Sequence, residues 1–486
     1  MRPITREEAL AIYHAGPEAV VKVICELSAQ VVALGKQVAF LEQRVKTLEE
    51  QLSKKSHNSS KPPSSDGLAG KPYSNRTPSE RKTGGQEGHP GSTLQAVAKP
   101  DHVERHSVHK CQECRFSLSS VKPSDIEKRQ VFDIPPVKLA VTEHQAETKC
   151  CPSCGHVNKA EFPQGIYAPV QYGSHVKAAV TYLKGYQLLP LERTTELLRD
   201  LFSLNISEGT LDNILCDASK RLEPIEDQIK EQLRGASVAH FDETGVSVKG
   251  QTNWMHVVGT KQLTHYAIHP KRGTEAMDAI GILPGFHGKA VHDCWSPYFG
   301  YDGCDHGLCN AHLLRELTFL FEEQRQDWAK SMIDLLLDIK KSVAEAKGER
   351  TSLPRKQRWE FEEQYQGILD SGFAANPAGP PVPRRRGRQK KSKARNMLER
   401  LDGHRKEVLA FMYDFNVPFD NNLAERDIRM AKVQQKISGA FRSDTGATAF
   451  CRIRSYISTV RKNSLDVLDA VENIFNAKRL SLPRVV

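Results

Sequence analysis

Val238-Ala239-His240-Phe241-Asp242-Glu243-Thr244 contains a run of alternating side chains with an acid in it. Successive side chains of a strand point to opposite faces, so this stretch predicts a β-strand in which Asp242 shares a face with His240 and Thr244. A carboxylate at the end of a buried strand costs free energy unless it is neutralised, and a divalent cation is a common solution. The stretch therefore predicts an acidic metal ligand at the end of a strand.

Two later segments supply partners for Asp242. Ala290-Val291-His292-Asp293 is a second strand-like run that ends in an acid, and Asn421-Asn422-Leu423-Ala424-Glu425-Arg426 opens a helix that carries a third. Magnesium prefers hard oxygen ligands, which Asp and Glu provide. We predict that Asp242, Asp293 and Glu425 bind two Mg²⁺ (or Mn²⁺) ions. Such a pair stabilises the attacking and leaving oxygens in phosphoryl transfer.

Glu425 also has a purely structural interpretation. With Asn422 as the N-cap, Glu425 would be the N3 glutamate of a capping box. However, Arg429, Lys432 and Lys436 follow Glu425 at helical spacing on one face. A carboxylate followed by cations suits a metal site that opens onto a phosphate backbone, and this favours the catalytic interpretation.

The 486 residues carry a net charge of +10 and include 11 cysteines. So long a chain is expected to form several domains, and its positive charge favours a polyanionic partner, although a basic surface can simply be solvated. No apolar run approaches the ~20 residues of a membrane span. Charged residues at 6–8 stand where a signal peptide would be apolar. We expect a soluble, cytoplasmic protein with reduced thiols.

A heptad pattern predicts a coiled-coil dimerisation helix within residues 1–55, in which Pro17 begins the helix. The alternative is a single amphipathic helix that packs on its own domain, but a narrow apolar seam is typical of coiled coils. Residues 56–100 are rich in Ser, Lys, Pro and Gly and predict a flexible basic linker. The a positions are Ile24, Val31, Val38, Val45 and Leu52, and the d positions are Leu27, Leu34, Leu41 and Leu48.

Two CxxC motifs predict a zinc ribbon at residues 101–160. Four thiolates can surround a tetrahedral Zn²⁺, which replaces the apolar core that so short a segment lacks. Gly155 suits the second turn, whereas Arg115 stands at the equivalent place in the first. The predicted ligands are Cys111, Cys114, Cys151 and Cys154, and the alternatives for one of them are Cys150, His106, His109 and His156.

Residues 165–235 have a helical pattern. Pro190 interrupts it, a helix is predicted at 193–202, and Ser207 is predicted to cap the next helix. This spacing predicts a helix-turn-helix that places its second helix in a DNA major groove, and a plain helical hairpin is the alternative.

From residue 236 the pattern changes to strands at 236–248, 254–260 and 263–269, a helix at 274–282 and a strand at 290–293. This is the order in which a ribonuclease H-like fold begins. We predict a multidomain α+β protein with the first part of this core at 236–330, a helical and basic insertion at 331–400, the last part at 401–475 and a tail at 476–486. The basic run at 384–391 either clamps phosphates or is a solvated loop.

This combination resembles the large transposase of the insertion-sequence-66 family, which belongs to the DDE class. The motifs that carry the resemblance are the leucine zipper, Asn58–Asp66, the paired CxxC motifs, His240–Thr244, Val291–Tyr298, Cys309–Leu317 and Asn421–Arg429.

The resemblance implies that Asp242, Asp293 and Glu425 are the catalytic triad of a ribonuclease H-like core that cleaves and transfers DNA strands. His312 and Arg315 match a family motif and are expected to contact the scissile phosphate or support the site. The partners implied are terminal inverted repeats, target DNA, further copies of the chain and small accessory proteins encoded by the same element. The location implied is the cytoplasm, at the nucleoid.

Two other functions fit parts of the sequence. A tyrosine recombinase uses His and Arg around a nucleophilic tyrosine, which His312-x-x-Arg315 matches, but so short a pattern arises easily by chance. A non-catalytic DNA-binding regulator would use the zipper, zinc ribbon and helix-turn-helix, but it leaves the three acids unexplained. Sensitivity of DNA cleavage to EDTA separates the transposase from the recombinase, which forms a covalent adduct with DNA.

Overall fold

A computed structural model describes residues 4–59, 94–135, 137–378 and 391–476. All but the first residue of the predicted tail, most of the linker and all but one residue of the 384–391 basic run lie outside these residues. The chain divides into two compact units. We call Met1–Tyr73, Ala168–Pro190 and Asp212–Val486 the main unit, and Ser74–Tyr167 with Leu191–Leu211 the small unit.

The described residues are mostly helical, with two groups of strands. The helices are α1 (Arg6–His14), α2 (Pro17–Leu52), α3 (Ser174–Gly185), α4 (Leu191–Phe202), α5 (Glu208–Arg221), α6 (Glu223–Arg234), α7 (Thr274–Ile280), α8 (Asn310–Gln324), α9 (Asp327–Ala346), α10 (Arg355–Ala375), α11 (Lys393–Gly403), α12 (Arg405–Val408), α13 (Ala410–Tyr413), α14 (Asn422–Ser438), α15 (Asp444–Lys462) and α16 (Val467–Phe475). The strands are β1 (Thr148–Cys150), β2 (Val157–Lys159), β3 (Val238–Val248), β4 (Gln251–Gly259), β5 (Thr264–His269), β6 (Lys289–His292) and β7 (Asp305–Leu308).

Helix α2 begins at Pro17, as the sequence predicts, and runs for 36 residues. Its predicted a and d side chains are all exposed in the single chain, from 44% at Leu27 to 82% at Leu52. An apolar stripe of this kind is what a coiled coil buries between chains. The helix is therefore confirmed, while its pairing stays a prediction.

The sheet of the main unit has the order β5-β4-β3-β6-β7. Strands β3, β4 and β5 are antiparallel, whereas β6 is parallel to both β3 and β7. Lys249 and Gly250 form the two-residue turn between β3 and β4, and both have positive φ, as a tight hairpin with the right-handed sheet twist requires. The predicted strands agree with the observed ones to within three residues, but the sequence analysis did not anticipate β7.

Helices α14 and α15 cover one face of this sheet. Val246 and Met255 of the sheet join a buried apolar cluster with Ala424, Ile428 and Phe450 of the two helices. A separate buried cluster joins α8 to α9, α10 and α11. This bundle accounts for the helical pattern predicted within residues 331–400, and α9 and α10 lie between β7 and α14 in the chain.

The predicted break at Pro190 separates α3 from α4, and the hydroxyl of Ser207 accepts a hydrogen bond from the backbone N–H of Thr210 at the start of α5 (3.2 Å). The helix-turn-helix function stays a prediction. Among the described residues, no helix is both long and apolar enough to cross a membrane.

Candidate active site

Asp242 and Asp293 lie at equivalent positions of two adjacent parallel strands, and Asp293 directly follows the end of β6. Asp242 lies in the interior of β3, which continues to Val248, so the prediction that its strand ends at this acid is wrong. His240 of β3 pairs with Val291 of β6, and each acid stands two residues beyond its paired residue. Adjacent strands are about 4.8 Å apart, so equivalent positions on them are neighbours. Asp242 accepts a hydrogen bond from the N–H of Glu243 (2.9 Å), and Asp293 accepts one from the N–H of Trp295 (3.1 Å).

The ionised form of Asp242 is destabilised by burial and by neighbouring negative charges. Burial raises its pKa well above the ordinary value, and the negative charges of Glu243, Glu425 and Asp293 raise it further, against the hydrogen bond from the backbone. Among the described residues, no cationic side chain forms an ion pair with Asp242 or Asp293. Three acids with mutual repulsion and hard oxygen donors fit a divalent cation such as Mg²⁺.

Glu425 lies one turn into α14 and faces three residues at the start of α8. Its carboxylate is 3.6 Å from His312 Nδ1, 3.8 Å from Arg315 Nη2 and 3.6 Å from Cys309 Sγ. The N-cap of α14 is Asn421, and it makes no side-chain capping bond. The capping-box interpretation is therefore wrong, because Glu425 is the fourth residue of the helix and its carboxylate points to α8.

Cys309, His312 and Glu425 form a group of three potential metal ligands, the one such group among the described residues. Burial raises the pKa of the Cys309 thiol to about 12, and the negative charge of Glu425 acts in the same direction. The thiol therefore stays protonated, accepts a hydrogen bond from the Asn421 N–H (3.1 Å) and donates towards Glu425. We interpret this group as a support for Glu425, with a hydrogen bond from Cys309 and a contact from His312, because a metal would require the thiolate.

Asn421 connects the three parts of the site, and the sequence analysis did not single it out. Its side chain is buried, donates to the carbonyl of Phe241 (2.7 Å) and pairs with His240 Nδ1 (2.8 Å). These two residues directly precede Asp242. The backbone oxygen of Asn421 accepts from the N–H of Glu425 (3.1 Å). The sequence signal was the Asn421-Asn422 pair ahead of a helix, which predicts a cap but not a contact with a strand.

A fourth acid, Glu243, also lies close to the site but has its own cation. Arg272 donates two hydrogen bonds to its carboxylate (2.9 and 2.7 Å), and the Tyr298 hydroxyl donates a third (2.5 Å). The Arg272 guanidinium lies over the rings of Trp254 (4.9 Å) and Trp295 (4.0 Å). No spacing in the sequence links these residues, because they come from β3, β4 and two loops.

The predicted row of cations on α14 is only partly directed to the site. Lys432 donates to the carbonyl of Gly245 in β3, and burial lowers the pKa of Lys432. Arg429 and Lys436 are exposed on the surface of α14. Lys432 is thus joined to the strand that carries Asp242, whereas the other two are available to a ligand that approaches from solvent.

The two CxxC motifs of the small unit form similar turns. The N–H of Arg115 bonds the carbonyl of Cys111 (3.2 Å), and the N–H of Gly155 bonds that of Cys151 (2.9 Å). Arg115 and Gly155 both have positive φ, so the arginine does not make the first turn irregular. Backbone N–H groups of Cys114 and Ser153–Cys154 lower the pKa of Cys111 and Cys151, respectively.

The structure forms each cysteine pair but does not collect the two pairs into one cluster, since no three of these thiols lie together. The strands β1 and β2 near the second pair are exposed, so no apolar core holds the two turns at a fixed separation. In a domain of this kind the metal ion itself supplies that link. Zinc binding by the four cysteines therefore stays a prediction.

The family model described as the transposase IS66 family matches residues 169–449, which is more than half of the chain. The chain belongs to this family, and the resemblance found in the sequence is confirmed. It is a transposase of an insertion element, whose partner is DNA. A family of unknown function, DUF6444, matches residues 16–95, and a comparison with curated proteins gives no match.

Proposed function

We propose that this transposase cleaves DNA at the ends of its element and transfers the strands through Asp242, Asp293 and Glu425. The observation that carries the proposal is the convergence of three acids from separate parts of the chain. Asp242 in β3 and Asp293 just after β6 stand at equivalent positions of adjacent strands, and the charge of Glu425 acts on Asp242. The order of the sheet, with three antiparallel strands followed by two parallel ones, supports a ribonuclease H-like core.

Family membership suggests dependence on a divalent metal, and we infer Mg²⁺ or Mn²⁺ from the carboxylate donors. When two ions are bound, they supply charge neutralisation at the attacking and leaving oxygens. Asp242 and Asp293 would hold the metal from the sheet, and Glu425 from α14. Arg315 and His312 lie against the carboxylate of Glu425, and Arg315 adds positive charge on the side of the site formed by α8. Burial and the charge of Arg315 lower the pKa of His312, which favours its neutral form.

The same contacts argue against a tyrosine recombinase. In that class the His and Arg serve the phosphate beside a nucleophilic tyrosine, whereas here both lie against the carboxylate of Glu425. Tyr298, the first tyrosine after Asp293, is buried, and its hydroxyl donates a hydrogen bond to Glu243. A regulator without catalysis would have no use for three acids that repel one another.

The remaining parts of the proposal concern dimerisation, DNA binding and a structural zinc ion. The exposed seam of α2 supports a parallel dimer, and α4 with α5 supports a helix-turn-helix that contacts the terminal inverted repeats. The paired cysteine turns support a structural Zn²⁺ held by Cys111, Cys114, Cys151 and Cys154. Target DNA and small accessory proteins of the same element are the other proposed partners.

The test is cleavage of DNA that carries the ends of the element, with Mg²⁺ or with EDTA. Asp242→Asn, Asp293→Asn and Glu425→Gln are each expected to lower the cleavage rate by at least ~10²-fold, as is typical when charge stabilisation in the transition state is lost. Asp334→Asn is the matched control, because Asp334 is an exposed acid on α9 that pairs with Lys330. Cleavage that survives EDTA and Asp242→Asn, or a covalent protein–DNA adduct, would contradict the proposal.

A further inference from the structure

The backbone ladder between β3 and β6 ends before the two aspartates. It comprises three pairs of residues, and the last pair joins His240 to Val291. Asp242 and Asp293 each lie two residues further along the chain, where β3 pairs with β4 but no longer with β6. Adjacent parallel strands are held in register by the bonds of their ladder. The ladder by itself therefore does not fix the separation of the two acids.

The side chain of Glu243 supplies contacts that reach across this gap. Glu243 directly follows Asp242 but points to the opposite face of β3, since successive side chains of a strand alternate. Only 2% of its side chain is exposed. Both carboxylate oxygens are bound: Oε1 accepts two hydrogen bonds from Arg272 (2.9 and 2.7 Å), and Oε2 accepts one from the Tyr298 hydroxyl (2.5 Å).

Arg272 connects this carboxylate to the residue two positions after Asp293. The Arg272 guanidinium lies over the ring of Trp295, 4.0 Å from the ring centroid, and also over Trp254 of β4 (4.9 Å). A guanidinium is planar, so it can stack on an aromatic ring and bind a carboxylate in its own plane at the same time. The backbone N–H of Trp295 in turn donates to the carboxylate of Asp293 (3.1 Å).

Tyr298 connects the same carboxylate to the residue just before Asp293. The ring of Tyr298 stacks on that of His292, with 4.3 Å between the centroids and 17° between the planes. Both side chains are buried, so close packing restricts the movement of either ring. Glu243, the neighbour of Asp242, is therefore joined to both sides of Asp293.

We propose that Glu243 and Arg272 are positioning residues that hold Asp242 and Asp293 at the separation required to bind the metal ions. We call Glu243, Arg272 and Tyr298 the brace. The proposal rests on the proposed function, because that function supplies the metal ions. Arg272 also keeps the Glu243 carboxylate from turning towards the ions, since two of its N–H groups hold one carboxylate oxygen.

The sign of the effect on metal binding separates this role from a simple effect of charge. Arg272 is a cation near the site, so the loss of its charge alone would strengthen the attraction for a divalent cation. A released Glu243 carboxylate would strengthen binding further if it became a ligand. Loss of the brace acts in the opposite direction, because the ions must then also order the two aspartates. Weaker binding after removal of Arg272 therefore indicates positioning.

The first experiment measures metal binding without DNA cleavage. Mn²⁺ is added to the full-length protein, and the free ion is quantified by electron paramagnetic resonance. Arg272→Met is expected to weaken Mn²⁺ binding about tenfold, the lower end of the range for lost partners of metal ligands. Arg452→Met is the matched control: Arg452 binds the mostly buried Glu226 (2.5 Å) and, in the described part of the chain, contacts none of the three acids. This control should lose stability but bind Mn²⁺ like the wild type.

Tyr298→Phe tests the other half of the brace without changing any charge. It removes the hydroxyl that binds Glu243 but keeps the ring, so we expect Mn²⁺ binding to weaken by about threefold, the effect of one hydrogen bond. In cleavage of end DNA, the Mg²⁺ concentration for half-maximal rate should rise about tenfold for Arg272→Met and about threefold for Tyr298→Phe. A merely structural role would lower the maximal rate, through the folded fraction, and leave that Mg²⁺ concentration unchanged.

Three results would overturn the proposal. The first is Mn²⁺ binding by Arg272→Met that is unchanged or tighter than in the wild type. The second is an equal loss of Mn²⁺ affinity in the control Arg452→Met. The third is a loss in Glu243→Gln as large as that in Asp242→Asn, because Glu243 would then be a metal ligand rather than a positioning residue.

The two proposals fail in different ways. If Asp242→Asn abolishes cleavage and weakens Mn²⁺ binding while Arg272→Met binds Mn²⁺ like the wild type, only the role of the brace is wrong. If Asp242→Asn leaves both cleavage and Mn²⁺ binding unchanged, the proposed catalytic site is wrong, whatever the Arg272 variant shows.

Discussion

Asn421 offers the sharpest test of how the site is assembled. Its buried side chain bonds the carbonyl of Phe241 and the ring of His240, and its backbone bonds Cys309 and Glu425. Replacing it with alanine removes the two side-chain bonds but leaves the backbone bonds. A buried polar group that loses its partner costs about 1–3 kcal/mol. Because a carbonyl can keep its second hydrogen bond, we expect Asn421→Ala to lose about 2–4 kcal/mol in total.

The effect on function should exceed the effect of the lost stability alone. The bond to Phe241 fixes the first turn of α14 against the strand that carries Asp242, so its loss allows Glu425 to move relative to the two aspartates. We expect the Mg²⁺ concentration for half-maximal cleavage to rise about tenfold, which corresponds to about 1.4 kcal/mol of metal binding. Asn421→Asp keeps an acceptor for His240 but places an oxygen against the Phe241 carbonyl, so it should show the same shift.

Stability is measured by urea unfolding in EDTA, and metal dependence by cleavage over a range of Mg²⁺ concentrations. Asn422→Ala is the control, since Asn422 is the exposed neighbour of Asn421 and its side chain makes none of these bonds. That variant should stay within about 0.5 kcal/mol of the wild type. An Asn421→Ala protein with unchanged stability and unchanged Mg²⁺ dependence would refute the role assigned to this residue.

Three further predictions concern the charge cluster, a buried ion pair and the coiled coil. Asp242→Asn should raise the melting temperature of the metal-free protein at pH 7.5. The pKa of Asp242 in the native state lies above the unfolded value of ~3.9, so the native state loses stability as the pH rises from the unfolded pKa to the native pKa. The amide of the variant does not titrate and therefore avoids this loss. Equal melting temperatures of the variant and the wild type in EDTA would contradict the prediction. Glu226→Gln should cost about 3 kcal/mol at pH 7, since it removes the charged partner that lies 2.5 Å from the half-buried Arg452 and leaves this arginine only Glu223 (3.6 Å) and Ser219. Burial by itself raises the pKa of Glu226, but His265 and Arg452 lower it to about 2, so the cost should shrink as the pH falls from ~4.3 towards 2 in urea unfolding curves; a cost independent of pH would argue against the ion pair. Leu34→Asp with Leu41→Asp should convert a dimer into monomers in light scattering, whereas Val32→Asp, outside the seam, should not; a dimer that persists in the double variant would exclude the proposed zipper.

The secondary structure around the first two acids was predictable from the sequence. Local signals were strong there: the alternation through Asp242 and the second apolar run before Asp293. The start of α2 at Pro17 followed in the same way, because a proline at the first helical position needs no hydrogen-bond partner. These features depend on residues that are near one another in the chain.

The tertiary structure alone decided what surrounds each acid. Arg272 neutralises Glu243, Cys309 and His312 support Glu425, and Asn421 rather than Asn422 is the cap of α14. Each of these contacts joins side chains that are separated by 29 to 181 positions or depends on how a helix meets a strand. Sequence periodicity specifies which face of an element is apolar, but the partner of a polar side chain is set by how the elements pack. For that reason the sequence determined which residues could perform the chemistry, and the fold decided which of them meet.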